Sequence, residues 1–232
     1  MSKKYKHLFF DLDHTLWDHQ RNANETLADL FLQFKLHELG GFSVERFQEV
    51  FHVVNHELWD GYHTGLIDQK FIRTERFKQV LQVLGVQNYP YYPSLGHEYL
   101  HRCPRKSNLM PHTIETLDYL KASYPMTIIT NGFDEIQGLK LSSSGISRYF
   151  DLVITSGQAG CLKPHRGIFD FALDHAAVNG SECIMIGDNP VTDISGARDA
   201  GIDQIYYNSR ACEDHIEPTY KIGSLQELKE LL

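Results

Sequence analysis

The chain has 232 residues, with 22 Lys and Arg against 30 Asp and Glu, a formal charge of −8, and 42% hydrophobic and 22% charged residues. That balance excludes a disordered or collagen-like chain and suits one large domain or a core with a smaller insertion. An acidic total without a long Lys/Arg run argues against a nucleic acid polymer or a membrane as partner, since both reward clustered positive charge, and leaves small anions open.

The first predicted element is a strand over residues 7–12, a short apolar run that ends in Asp11 and Asp13 and suits burial on both faces. Those two acids also break the opening apolar segment before a signal peptide can develop, so the expected location is cytoplasmic. Over 22–34 the period changes: Leu27, Leu30, Phe31 and Phe34 mark a helical face, with Gly40-Gly41 as its stop. Behind Ser43 as N-cap, Phe47, Val50, Phe51, Val54 and Leu58 form a second stripe that Asp60-Gly61 should end. A third helix is expected over 68–84, stopped by Gly85. A rigid aromatic turn at 89–93 then leads to a short helix through Leu95, Tyr99 and Leu100 that Pro104 breaks.

From Thr113 onward helix and apolar strand alternate. The pairs are helix Thr113–Lys121 with strand Met126–Thr130, helix 134–141 with strand Leu152–Thr155, helix 167–177 with strand 183–186, and helix 192–200 with strand 204–207. Ser224-Leu225-Gln226-Glu227 reads as a capping box before the last helix. The fold class is therefore α/β: a Rossmann-like doubly wound parallel sheet core from residues 1–17 and 105–232, interrupted by an α-helical bundle at 18–104. Cys103, Cys161, Cys183 and Cys212 lie far apart without a Cys-x-x-Cys pair, which indicates neither a zinc site nor a disulfide framework. His52 and His56 are four apart on one helix but lack the glutamate of a zinc protease motif and read as a solvated face.

Four predicted strand ends carry polar residues: Asp11-Leu12-Asp13-His14-Thr15, Thr130-Asn131-Gly132, the loop leading to Lys163-Pro164, and Gly187-Asp188 running to Asp193. An Asp just past a strand is often only a turn former or cap. Four such segments at one end of a parallel sheet, where ligands bind, point instead to a single site.

Asp11-x-Asp13-x-Thr15, Thr130-Asn131-Gly132, Lys163-Pro164 and Gly187-Asp188-x-x-x-x-Asp193 resemble the four motifs of the haloacid dehalogenase (HAD) superfamily, and the helical insertion resembles its type 1 cap. The resemblance implies a Mg²⁺-dependent phosphatase working through an aspartyl-phosphate. Asp11 would be the nucleophile and Asp13 the general acid and base. Asp11, Asp188 and the backbone carbonyl of Asp13 would hold Mg²⁺, with Asp193 orienting a metal water and Lys163. Thr130, the Asn131 amide and Lys163 would bind the phosphate, Gly132 would allow close backbone approach, and Thr15 would support the site. Mg²⁺ and Lys163 bring about three positive charges, and a protonated Asp13 would leave the acidic cluster near neutral.

Within the superfamily a 2-haloacid dehalogenase characteristically lacks the second aspartate, so Asp13 favours a phosphate ester. A receiver-like signalling domain shares the Asp, Thr and Lys but is shorter and lacks Asp13 and the cap. The text around Asp11 to Asp18, with Thr130 to Phe133, is most similar to the bacterial pyrimidine 5'-nucleotidase branch, with the N-acylneuraminate-9-phosphatase branch or another sugar-phosphate phosphatase as the alternative. A nucleoside monophosphate is the expected substrate and a monomer or weak homodimer the expected state. Trp17, Phe42 and Trp59 are the candidates for substrate specificity, and His14 either touches the site or shapes its turn.

Overall fold

Four buried residues make β1 (His7–Phe10), in a computed structural model that describes residues 4–209 and 216–232; Cys212 lies outside them. The strand stops two residues earlier than the apolar run suggests. Asp11 still donates its amide to Ile186, but the Leu12 carbonyl is taken by the amides of Leu16 and Trp17, which curls the chain out of the ladder. His14 sits in that turn at φ +66°.

The chain divides into two units, Met1–His19 with Ser107–Leu232, and Gln20–Lys106. The second unit carries α1 (His19–Gln33, beginning one residue before it), α2 (His37–Gly40), α3 (Val44–His63), α4 (Gln69–Val83) and α5 (Tyr92–Arg102). Two helix ends differ from expectation. α1 stops at Gln33, where Lys35 turns left-handed at φ +50°, and Gly41 at φ +67° terminates α2 instead. α3 runs through Gly61 to His63; Ile67 packs where a Gly61 side chain would lie, and the Leu66 amide donates back to the Gly61 carbonyl beyond the helix end. Ser43 and Asp68 cap α3 and α4 by accepting the Arg46 and Phe71 amides. Pro104 lies within a 3-10 turn, Cys103–Arg105, that continues from α5. Phe47, Phe51, Phe77 and Tyr99 stack through the bundle interior at centroid distances of 5.0–6.3 Å. Among them Arg76 is buried, its guanidinium 5.8 Å from the Phe51 ring and 5.4 Å from Tyr99. His52 bonds Asn24 at 2.6 Å and His56 faces Asp60 at 3.0 Å.

The first unit resumes with α6 (Thr113–Lys121), β2 (Met126–Thr130), α7 (Asp134–Ser143), β3 (Leu152–Thr155), α8 (Ser156–Ala159), α9 (Arg166–Ala176) and β4 (Cys183–Gly187). α10 (Gly196–Asp199), β5 (Asp203–Tyr207), β6 (Tyr220–Ile222) and α11 (Leu228–Leu231) complete it. Among the described residues six strands form one parallel sheet, in the order β3-β2-β1-β4-β5-β6. β6 is an addition to the expected five: three residues with exposed Lys221 at the centre give too short a pattern to read. The helix expected over 192–200 is a π-type turn, Pro190–Ser195, followed by α10, and the Asn189 side chain caps it by accepting the Val191 and Thr192 amides. Phe9, Ile129, Met185, Ile168, Phe169 and Ala197 share one buried cluster that seats α9 and α10 on the sheet. Burying an aromatic side chain of that size is worth roughly 1.5–3 kcal/mol. Among the described residues no helix is long and apolar enough to cross a membrane.

Candidate active site

Strand order reverses at β1: the chain steps outward through β2 and β3 on one side and through β4, β5 and β6 on the other. The crevice beyond the carboxyl ends of β1 and β4 is therefore the natural ligand position. Phe10 pairs in register with Ile128 of β2 and Ile186 of β4, so Asp11 emerges between the ends of both neighbours. Thr130 closes β2 beside Thr155 of β3, and Asp188 follows β4 directly.

Lys163 joins these segments. Its Nζ donates to Asp11 Oδ1 at 2.8 Å, Asp193 Oδ1 at 2.6 Å and the Ile129 carbonyl at 2.7 Å, and the side chain is 1% exposed. Burial alone would lower its proton affinity, but Asp11 and Asp193 hold the ammonium well above its usual range. The Asn131 side chain clips the Lys163 backbone at both ends, accepting from its amide at 2.7 Å and donating to its carbonyl at 2.9 Å. The Lys163–Pro164 peptide is cis.

Carboxylate oxygens of Asp11, Asp188 and Asp193 can all lie within 4.8 Å of one another. Burial pushes the Asp11 carboxyl up to about 7, with Asp193 and Asp13 adding to the rise and Lys163 opposing it. Burial, then Asp11 and Asp193, drive Asp188 well above the usual carboxylate range, against a hydrogen bond from Thr15 at 3.2 Å. One buried ammonium does not balance this set, and hard oxygen donors short of positive charge are what a divalent cation such as Mg²⁺ fits. Asp193 is already engaged on both oxygens, Oδ1 by Lys163 and Oδ2 by the Asn189 amide at 3.0 Å. It is buried, not an exposed first-turn residue, and its bonds suit orienting Lys163. Gly187 keeps it there, since a Cβ would come within 2.4 Å of Asp193 Oδ2.

Asp13 departs from the expectation of a protonated acid that neutralises the site. Burial would raise its pKa, but Lys140, His19 and a hydrogen bond from Gln137 outweigh burial and hold the carboxyl far below its usual range. Both oxygens meet Lys140 Nζ, at 2.6 and 2.7 Å. The positive charge that balances Asp13 is thus a second lysine. Gln137 and Lys140 are the site residues that motif reading missed. Their one signal was spacing: a Gln and a Lys three apart on the helix that follows Thr130-Asn131-Gly132. Thr130 Oγ1 accepts from Gln137 Nε2 at 2.7 Å and from the Gly132 amide at 3.1 Å, leaving its own hydrogen to donate.

The specificity candidates separate. Trp17 is completely buried with the Lys140 ammonium 4.7 Å from its ring centre, so it braces the Asp13 turn and has no face to offer a base. Phe42 and Trp59 belong to the helical unit. Phe42 packs edge-on to Phe31 at 5.9 Å, and partly buried Trp59 contacts Tyr62 at 5.5 Å and His63 at 5.7 Å. His14, left-handed and bonded through its amide to the Trp17 carbonyl, shapes the turn.

Known proteins are similar to this chain along nearly its whole length. The pyrimidine 5'-nucleotidase YjjG of Escherichia coli (strain K12) is 31% identical over 232 residues, spanning 99% of this chain and 98% of its own. The pyrimidine 5'-nucleotidase PynA of Streptococcus pneumoniae (strain ATCC BAA-255 / R6) is 29% identical over 98% of this chain and 95% of its own. The magnesium-bound HAD-hydrolase YfnB of Bacillus subtilis shares the fold, with a TM-score of 0.88 over 99% of each chain at 24% identity. With the haloacid dehalogenase-like hydrolase family model matching residues 5–201 and near-full-length identity of 31% to one relative, this chain belongs to the haloacid dehalogenase-like hydrolases.

Proposed function

We propose that this enzyme is a Mg²⁺-dependent phosphatase that hydrolyses pyrimidine nucleoside 5'-monophosphates through an aspartyl-phosphate on Asp11. The observation that carries the phosphatase reading is the second carboxylate: Asp13 is held beside the Asp11 cluster and joined through Gln137 to the Thr130 hydroxyl. Displacing halide calls for no proton donor, whereas expelling an alkoxide does. The pyrimidine preference rests on near-full-length similarity to two pyrimidine 5'-nucleotidases.

In this reading Asp11, Asp188 and the Asp13 carbonyl hold Mg²⁺, which when bound neutralises charge on the cluster and on the phosphoryl oxygens. Lys163, Thr130 and the Asn131 amide bind the remaining phosphoryl charge. An Asp11 oxygen attacks phosphorus in line; its new bond to phosphorus forms as the ester P–O bond breaks, and Asp13 protonates the departing oxygen. A dianionic phosphate beside Asp13 raises its proton affinity, which opposes the Lys140 effect, so that Asp13, ionised in the free protein, takes up from solvent as substrate binds the proton it then gives to the departing oxygen. Asp13 then takes a proton from the water that attacks the phosphorylated Asp11, releasing phosphate and restoring the carboxylate.

A Mg²⁺-dependent screen tests the assignment. Uridine, deoxyuridine and thymidine 5'-monophosphates should give a kcat/KM at least about tenfold above sugar phosphates and N-acylneuraminate 9-phosphate. A preference for either of those would replace the substrate, and halide release from 2-chloropropionate would overturn the phosphatase reading. Stable phosphorylation without ester hydrolysis would indicate a receiver.

A further inference from the structure

Helix α7 carries two polar side chains that none of the four motifs contains. Lys140 is 7% exposed and Gln137 is fully buried. Lys140 grips both Asp13 oxygens while its ammonium also lies over the Trp17 ring, so it is fixed from two sides. Gln137 spends its single amide nitrogen on two acceptors, Asp13 Oδ2 at 3.0 Å and Thr130 Oγ1 at 2.7 Å. Its Oε1 is buried without a hydrogen-bond partner. Turning the amide over would set that oxygen against the Asp13 carboxylate, so the orphaned acceptor is the cost of keeping both donations.

Room for this arrangement comes from Gly132. A Cβ there would sit 1.8 Å from Gln137 Nε2 and 2.3 Å from its Cδ. The backbone of the Asp13 turn is set by bonds to Leu12 and Trp17, but the direction of its carboxylate is set from α7, more than a hundred residues away in sequence.

We propose that Gln137 and Lys140 are positioning residues that lock the acid/base Asp13 and the phosphate-binding Thr130 into one fixed relation. The inference rests on Asp13 being the acid/base. A proton donor must lie within hydrogen-bond reach of the departing oxygen, and misplacement by about 1 Å can cost on the order of 100-fold. That loss falls on leaving groups that need the proton and spares those that depart as stable anions.

The test compares p-nitrophenyl phosphate with phenyl phosphate, whose phenolate is the more basic leaving group, in the Mg²⁺-loaded enzyme. Its readout is kcat/KM, which reports the first transfer. Lys140→Met and Gln137→Leu should each lower kcat/KM for phenyl phosphate by about 10- to 100-fold and for p-nitrophenyl phosphate several-fold less. Lys140→Arg, which keeps the cation, should recover most of the loss, and circular dichroism melting should show all variants folded. Equal losses on both esters would assign the pair a structural role and overturn the proposal, as would unchanged kinetics while Asp13→Asn is inactive. If Asp13→Asn itself keeps wild-type turnover on both esters, the acid/base reading fails instead.

Discussion

Asp11 and Lys163 show how a buried charge pair can serve chemistry better than stability. Removing one partner of such a pair strands the other and costs about 3–5 kcal/mol. Lys163→Met should therefore lower the melting temperature sharply as well as abolish turnover, read by calorimetry and phosphate release. Asp11→Asn should behave oppositely toward the fold, because Lys163 keeps its bond to Asp193 and is not stranded. It removes one of three mutually repelling carboxylates, so activity should vanish while the melting temperature of metal-free protein rises. Substantial turnover in Asp11→Asn would remove it from the nucleophile role. Trp17→Ala empties a fully buried site and should cost about 3–5 kcal/mol, with similar losses of kcat/KM on nucleotides and p-nitrophenyl phosphate. A selective rise in KM for nucleotides would show base contact after all.

Elements place these residues, and they do so through close approaches. Gly196 opens α10 against the loop that carries Lys163: a Cβ would fall 2.9 Å from Pro164 Cα and 2.7 Å from the Phe169 ring. Backbone cannot yield as a flexible side chain does, so Gly196→Ala should lower both melting temperature and kcat/KM although residue 196 lies outside every motif. In the helical bundle, Arg76 lies between Phe51 and Tyr99 and its Nε has no hydrogen-bond partner. Replacing a buried cation by an apolar side chain of similar length is often neutral or stabilising, and Arg76→Met should leave the urea midpoint unchanged or higher.

For the whole molecule the acid cluster sets a pH and metal dependence. Asp11 and Asp188 have folded-state pKa values raised above their unfolded ones, so their contribution to stability is full below the unfolded value and declines as pH climbs. Metal-free protein should lose stability between about pH 4 and 7, the interval from an ordinary Asp to the raised Asp11 value. Mg²⁺ favours the ionised cluster, so its stabilisation should be larger at pH 8 than at pH 5 by differential scanning calorimetry. An equal shift at both values would exclude Asp11 from the metal site. Asp13, held low, stays ionised through that interval and opposes the trend only in stronger acid.

Strand and helix periods, together with residues clustered at strand ends, were legible along the chain because each is a local pattern. Met126–Thr130, Leu152–Thr155 and Thr113–Lys121 coincide with their observed bounds. The motifs carried Asp11, Asp13, Thr130, Lys163, Asp188 and Asp193 for the same reason. What escaped was decided by contacts between distant segments. β6 is stabilised as a strand by pairing with β5 beyond what three residues can signal. Asp13 stays ionised because a lysine 127 positions away meets it in a buried site, and Trp17 is a brace because Lys140 covers its ring. Sequence alone determined which groups could do chemistry and at which end of the sheet. Only the tertiary structure decided their charge states and partners, since both depend on burial and on distances of a few ångströms between side chains that the chain order keeps far apart.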